Sequence, residues 1–434
     1  MGDLSVVPFV ISLLVFCLTY AGILVERIHR TIVALSGAVA MIMFGSWFSF
    51  YDAHQAVEAI DFNTIALLLG MMIIVGLFKE TGFFEYVAIK AAKFAHGKPW
   101  LLLVYLGSIT AVISMLLDNV TTIIIIVPVT ISMADILGMS ALPFLMGEVL
   151  LSNIGGVATL IGDPPNILIG SAAGFSFTDF LVHLAPIVLI ALVFTQGIFL
   201  LIFWRTLVRT PSNVKGLMAM DEKRAIIDPL TTRRMLQTLG VTVFLYFIHD
   251  RIGLEAGVVA LVGSCLGLLW VRPKLEKILQ DIHWDVLLFF AALFIAVGGL
   301  EAAGVLDLVA EGINALTGYG MIAAALSVLW IGAIMSAVID NVPFTIAMLP
   351  VIAGLASRGV DVAPLWWALA LGVGFGGNAT PIGSTASVLT VSLSERTDAP
   401  ITFRVWIRSA LPITFVTCII ASVALLFAIK LGLL

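Results

Sequence analysis

The sequence predicts an all-α polytopic membrane protein built as two inverted-topology repeats, each with five spans plus a re-entrant hairpin and a broken helix. Three observations carry that prediction. Apolar residues make up 61% of the chain and charged residues 11%, with a mean hydropathy of +1.14, against about 45–50% and 25% in soluble domains. At about 20 residues per span, 434 residues leave room for roughly ten crossings. Second, the chain repeats itself after about 222 residues: MLLDNVTTI (115–123) returns as AVIDNVPFT (337–345), GGVATLIGD (155–163) as GGNATPIGS (376–384), and VGLFKETGFFEYV (75–87) as VGGLEAAGVLDLV (297–309). Third, five connections hold all of the 22 Lys and Arg except Arg251, Arg358 and Lys430. That bias makes one side cytoplasmic. Each repeat then crosses an odd number of times, so the repeats are inverted and both termini lie outside a bacterial-type inner membrane.

Apolar runs fall near 5–25, 32–50, 63–78, 101–117, 120–137, 142–170 and 180–204. A polar stretch follows, and a second set runs near 236–248, 254–271, 285–300, 321–339, 342–356, 365–393 and 409–434. The repeats are therefore placed at 1–204 and 236–434, with a cytoplasmic linker at 205–235. Residues 5–25 are read as the first span, because Asp3 stands where a signal peptide would be basic and no cleavage pattern follows. Residues 101–117 would form a helix of about 25 Å, short of a bilayer core of roughly 30 Å. A re-entrant hairpin with Asp118 and Asn119 at its tip fits that length, and Asp340 and Asn341 mark its mate. Two short tilted spans with the Asp in a surface turn are the alternative.

The run from Leu142 carries Glu148, Ser152, Gly155 and Thr159 at helical spacing before Gly155 and Gly156 interrupt it. Asp163 and Pro164 restart a helix as N-cap and first-turn proline. In the second half Gly376 and Gly377 stop the helix and Ser384 restarts it. The unwound segments hold Thr159 in one half and Asn378 and Thr380 in the other. Irregular backbone at membrane depth is tolerated only where protein buries it or a wet cavity lines it. Half-helix ends offer N–H donors and carbonyl acceptors to a polar solute. A packing kink without ligand would explain one break more easily than two related by inversion.

Four carboxylates lie at membrane depth: Asp118, Glu148, Asp163 and Asp340. A charge there costs at least about 2.5–3.5 kcal/mol on insertion scales, so such groups face the interior. They are the candidates for proton coupling. For Asp163 the simpler reading is a helix cap, since its mate is Ser384, and Asp163→Ser is then tolerated. Asp118 and Asp340 could also be caps, but capping does not explain why Asn follows both times. Asn119, Asn341, Asn378, Thr159, Thr380 and the glycine pairs 155–156 and 376–377 are the substrate-binding candidates.

Other signals are weaker. His183 reads as structural, the Gly253/Gly257 and Gly263/Gly267 spacings as close helix packing, and Trp366, Trp367 and Trp406 as an interfacial belt. The three cysteines lie in separate apolar runs and form neither a disulfide framework nor a metal site. No cofactor is expected. There is no His-Glu-x-x-His, no phosphate loop and no Gly-x-Ser-x-Gly elbow, which argues against an ATPase or hydrolase. A channel remains open as an alternative, since inverted broken helices also build pores.

Leu-Asp-Asn in the hairpin, Gly-Gly-x-Ala-Thr-x-Ile-Gly and above all IGDPPNILIG (161–170) resemble the ion transporter superfamily, and most of all its arsenite permease (ArsB-type) branch. The P-protein branch shares the Gly-Asp-Pro-Pro-Asn signature, and the sodium/proton antiporter and dicarboxylate branches share the architecture. The resemblance implies proton-coupled antiport of arsenite and antimonite, held by hydrogen bonds rather than thiolates, with arsenical resistance as its role. It also implies an elevator-like slide, a homodimer, and a soluble arsenite-stimulated ATPase partner; nucleic acid is not expected. Dicarboxylate carriers have Ser-Asn-Thr at the tips where this chain has Asp118-Asn119-Val120 and Asp340-Asn341-Val342. Two carboxylates disfavour an anionic cargo and suit a neutral solute or, in a sodium/proton antiporter, a cation.

Overall fold

The computed structural model describes residues 6–25, 27–208 and 211–433, with the side chains of 314–317 excepted. Asp3, and Arg209 among the cations counted in the connections above, lie outside the described residues. The first half contains α1 (Val6–Val25), α2 (Arg30–Trp47), α3 (Phe62–Lys79), α4 (Phe83–Phe94), α5 (Pro99–Leu116), α6 (Asn119–Leu137), α7 (Leu142–Gly156), α8 (Pro164–Ala173) and α9 (Ala185–Ile202). The second half repeats the order as α10 (Pro229–Ile248), α11 (Ala256–Val271), α12 (Trp284–Ala302), α13 (Val305–Thr317), α14 (Met321–Val338), α15 (Asn341–Ala356), α16 (Ala363–Gly376), α17 (Thr385–Ser394) and α18 (Phe403–Lys430). No strand occurs among the described residues.

The packing respects the exchange of halves. Helix α3 lies on α11 as α12 lies on α2, α5 runs along α7 as α14 runs along α16, and α8 crosses to α15 as α17 crosses to α6. Two bodies result. Helices α1–α3 and α10–α12 make one; hairpins, broken helices, α9 and α18 make the other; α4 and α13 lie along the join.

Local chemistry sets the element ends. Asp61 caps α3 through the Asn63 and Thr64 amides, Asp228 caps α10 and Thr402 caps α18. Gly138, at φ 65°, ends α6 in the left-handed region that favours glycine. Pro128 inside α6 and Pro350 inside α15 occupy equivalent positions in the second hairpin arms. The broken spans divide into 15 and 10 residues in α7 and α8, and 14 and 10 in α16 and α17. At 1.5 Å per residue neither piece crosses a bilayer core of roughly 30 Å alone.

Length alone does not make the hairpins. Arms of 18 and 19 residues in α5 and α6 are longer than the sequence runs indicated and nearly reach across. What makes them re-entrant is where the turn lies: Asn119 is buried and bonded to residues at the break of the neighbouring span. The belt assigned to Trp366, Trp367 and Trp406 is also corrected. All three are buried, Trp367 stacking on Phe175 and His183. Trp47, Trp100, Trp204, Trp270 and Trp284 are the exposed ones among the described residues.

The linker is folded rather than loose. Ser212 N–H donates to the Leu137 carbonyl at the end of α6, Ile227 N–H to the Thr81 carbonyl, and Lys93 on α4 pairs with Glu222 at 2.5 Å. Helix α10 begins at Pro229, within the stretch that the runs gave to the linker. The short helix Leu275–Asp281 joins the same face through Lys79–Asp281 and Lys277–Glu80 pairs. This is called the linker face below.

Candidate functional site

The tips of both hairpins meet at one carboxylate. Asp163 is 1% exposed, and its Oδ1 accepts from Asn119 Nδ2 and Asn341 Nδ2, each at 3.3 Å. One amide comes from each repeat. No Lys or Arg among the described residues pairs with Asp163. Although it occupies the N-cap position of α8, its side chain makes no cap bond. The capping role expected for Asp163 is therefore not what the geometry shows. Its mate Ser384 does cap α17, accepting from Ser387 N–H.

A second polar knot joins the two breaks. Asn153 Nδ2 donates to Asn378 Oδ1 at 2.8 Å and to Ser384 Oγ at 2.9 Å, while Asn378 Nδ2 donates to the Leu150 carbonyl. Asn153 Oδ1 in turn accepts from Asn119 at 3.1 Å, which links this knot to Asp163. Neither asparagine has an asparagine at its repeat-equivalent position, where Gly374 and Val157 stand. Trp406 Nε1 donates to the Asn378 carbonyl at 3.0 Å.

The remaining candidates divide by role. Thr159 Oγ1 donates to the Met115 carbonyl and Thr380 Oγ1 to the Ala337 carbonyl, both at 2.5 Å. They clamp each break to the last turn of its hairpin's first arm. The glycines serve close approach: a Cβ on Gly155 would lie 2.6 Å from the Ala111 carbonyl oxygen, and on Gly376 2.4 Å from that of Ala333. Gly156 and Gly377 face the backbone of Gly162 and Gly383 across the unwound loops. Asn166, part of the IGDPPNILIG motif but not named among the site candidates, donates to the carbonyls of Gly156, Val157 and Thr159 and so satisfies the irregular backbone.

Asp118 and Asp340 cap α6 and α15, through Thr121 N–H and Val342 N–H. Beyond capping they differ. Asp118 adds only the Thr121 hydroxyl, whereas Asp340 Oδ2 accepts from Arg30 Nη1 at 3.0 Å and from Thr385 Oγ1 at 2.8 Å. Glu148 is set apart from this cluster, buried and bonded to Thr130 Oγ1 at 2.5 Å. A cavity of about 230 Å³ reaches the tips from the linker face, bounded by Arg30, Asp118, Pro164, Asp285, Phe289 and Asp340 among others. Sequence reasoning missed Arg30 because it read as one more cytoplasmic charge, and missed Asn153 because the repeat has no counterpart to it.

Two inverted repeats whose buried hairpin tips and broken helices meet in a polar centre define the class of membrane transporters. The chain belongs to the citrate transporter family, whose model matches residues 20–372. It is 40% identical over 428 residues to a 46 kDa membrane protein of Mycobacterium leprae, covering 96% of this chain and 98% of that one. It is equally 40% identical over 427 residues to an uncharacterized transporter of Mycobacterium tuberculosis, covering 96% and 97%. With the human P protein it shares 31% over 493 residues, 94% of this chain and 58% of the relative. Its fold matches the crystal structure of the Alcanivorax borkumensis YdaH transporter with a TM-score of 0.61 at 16% identity, over 93% of this chain and 99% of that one. The match is to the citrate transporter family and not specifically to the arsenite permease branch, and none of these names refers to arsenite or antimonite.

Proposed function

We propose that this chain is a proton-coupled secondary transporter in which Asp163 carries the coupling proton and the cargo is a small hydroxylated solute. Arsenite and antimonite, uncharged trihydroxides at neutral pH, belong to that class. The observation that carries the reading is Asp163 itself, a buried carboxylate held by amides of both repeats with no cation beside it. An ionised, unpaired carboxylate in such a place is costly, so a cycle that closes the site around it must bring a proton or a cation. Asn119 Oδ1 is buried without a donor, and a solute hydroxyl would supply one. The acidic approach past Asp118, Asp285 and Asp340 disfavours a tricarboxylate, despite the family's name. Asp118 and Asp340 serve as caps and as the charged rim of this route, while Glu148 is a second proton-bearing candidate inside the moving body. The division into two bodies supports a sliding, elevator-like motion, with the linker face toward the cytoplasm of an inner membrane.

The same oxygens also suit a dehydrated sodium ion, since Asp163 and the free Asn119 Oδ1 are both hard ligands. Sodium/proton antiport is the second reading. Everted vesicles holding only this protein separate them. After a pH gradient is imposed, arsenite, antimonite, sodium, lithium and citrate are added in turn. Dissipation by the metalloids that is lost in Asp163→Asn supports the proposal. Dissipation by sodium or lithium alone moves the protein to cation exchange, and dissipation by citrate overturns the charge argument.

A further inference from the structure

The contact between Arg30 and Asp340 is the point where a side chain at the start of α2, in the first body, holds a hairpin tip of the other. Arg30 Nη1 lies 3.0 Å from Asp340 Oδ2 and 2.9 Å from Thr385 Oγ1, and its guanidinium sits 5.3 Å from the centre of the Phe289 ring. The three groups fix the arginine on both sides of the cleft. The repeat shows what should stand in the same place on the opposite face. Thr31 Oγ1 donates to the Asp285 carbonyl; at the equivalent junction Gly257 N–H donates to Asn63 Oδ1. Asp285 and Asn63 are repeat mates, so Thr31 corresponds to Gly257 and Arg30 to Ala256. Ala256 borders a cavity of about 560 Å³ on the far face, together with Asp61, Asp250 and Glu255 and with no Lys or Arg in its wall. Asp118, the mate of Asp340, pairs with no cation among the described residues.

We infer that Arg30 is a one-sided counter-ion that biases the transporter toward the arrangement open on the linker face. When the hairpin body slides so that the far face opens, exchange of the halves brings Asp118 toward Ala256 and Glu255, where the cavity wall holds no Lys or Arg and Arg251 stands outside it on the exposed turn. The outbound step breaks an ion pair that the far-face arrangement does not replace, and the return step forms it again. The inference deepens the proposed transport cycle but does not depend on which solute is carried.

The test is side-specific labelling in a background where Cys17, Cys265 and Cys418 are replaced. Val388→Cys, on the wall of a separate cavity beside Arg30 that Phe289, Asp340 and Thr385 also line, is exposed to a membrane-impermeant maleimide from each side, with Ile227→Cys identifying the linker face. Arg30→Ala, which copies Ala256, should shift the ratio of the two arrangements on the order of fivefold, the change worth one partly exposed ion pair, and slow Val388→Cys labelling from the linker face by up to that factor. Arg30→Lys should keep most of the wild-type rate, and Asp340→Asn should reproduce Arg30→Ala. The exchanged pair Arg30→Asp with Asp340→Arg should restore labelling, a rescue that a misfolded single variant would not predict. Labelling of Arg30→Ala at the wild-type rate, or slowing that the exchanged pair fails to reverse, would overturn the inference. Neither solute nor proton gradient is needed, so a failure here is distinct from a failure of the proposed chemistry.

Discussion

Asp163 and Ser384 hold equivalent positions and do different work. Ser384 closes the first turn of α17, while Asp163 turns from its own helix to the two hairpin tips. The geometry therefore predicts that Asp163→Ser folds but loses solute-driven proton flux, whereas a pure cap would keep it. Proton flux in vesicles containing equal amounts of each protein decides between them. Thr159 and Thr380 make a different prediction. Each donates its hydroxyl to a hairpin carbonyl, so Thr159→Val leaves a buried acceptor unpaired and should cost about 1–3 kcal/mol. A lowered unfolding midpoint in detergent would register that loss, and an unchanged midpoint would show the clamp to be dispensable. The sequence marked Asp118, Asp163, Asp340, Thr159 and Thr380, which lie at the tips and breaks, but not their contacts, because a cap, a clamp and a coupling group use the same residue types. Only the direction of each side chain separates them.

At the scale of elements, the hairpins and breaks were legible because each polar interruption occurs twice in long apolar sequence. The repeat gave the spans their order, and the charge bias gave them alternating direction. Hairpin length was a poorer guide, since arms of this size can nearly cross a bilayer. The partner of each element was not legible either, as nothing in a run of Leu and Ile says which neighbour it meets. Glycine is the exception in hindsight. Gly155 lets α7 approach α5, and Gly376 lets α16 approach α14, at distances where a methyl group would strike a carbonyl oxygen. Gly155→Ala and Gly376→Ala should each destabilise the protein by about 1–3 kcal/mol through overpacking. Thermal unfolding of the purified protein measures it. Gly354→Ala, whose added methyl meets nothing within 4 Å, is the control expected to be silent.

For the whole molecule, the two halves are interlocked rather than joined end to end, since α3 seats on α11 and α12 on α2. The linker then fastens the end of the first hairpin to α4. Its anchor is sensitive to acid. The hydrogen bond from Lys93 to Glu222 holds that carboxyl below its ordinary value of 4.5. Its contribution is thus complete above that value and is lost as pH falls through the lower, folded-state one. Limited proteolysis between residues 211 and 228 should accelerate from pH 6 to below pH 4, and should also accelerate at high salt because the pair is near the surface. Equal cleavage across that range would show that the linker is held by its backbone bonds instead.

Exact duplication would have placed two acids at the centre, yet Ser384 leaves Asp163 alone there. On the proposed reading, trading one proton for an uncharged molecule would move one elementary charge per turnover, and the cycle would be an electric current. Membrane voltage then drives it alongside the pH difference, by about 2.3 kcal/mol for each 100 mV. Restoring the symmetry with Ser384→Asp would alter the charge moved per cycle, which capacitive recordings on supported membranes can read directly.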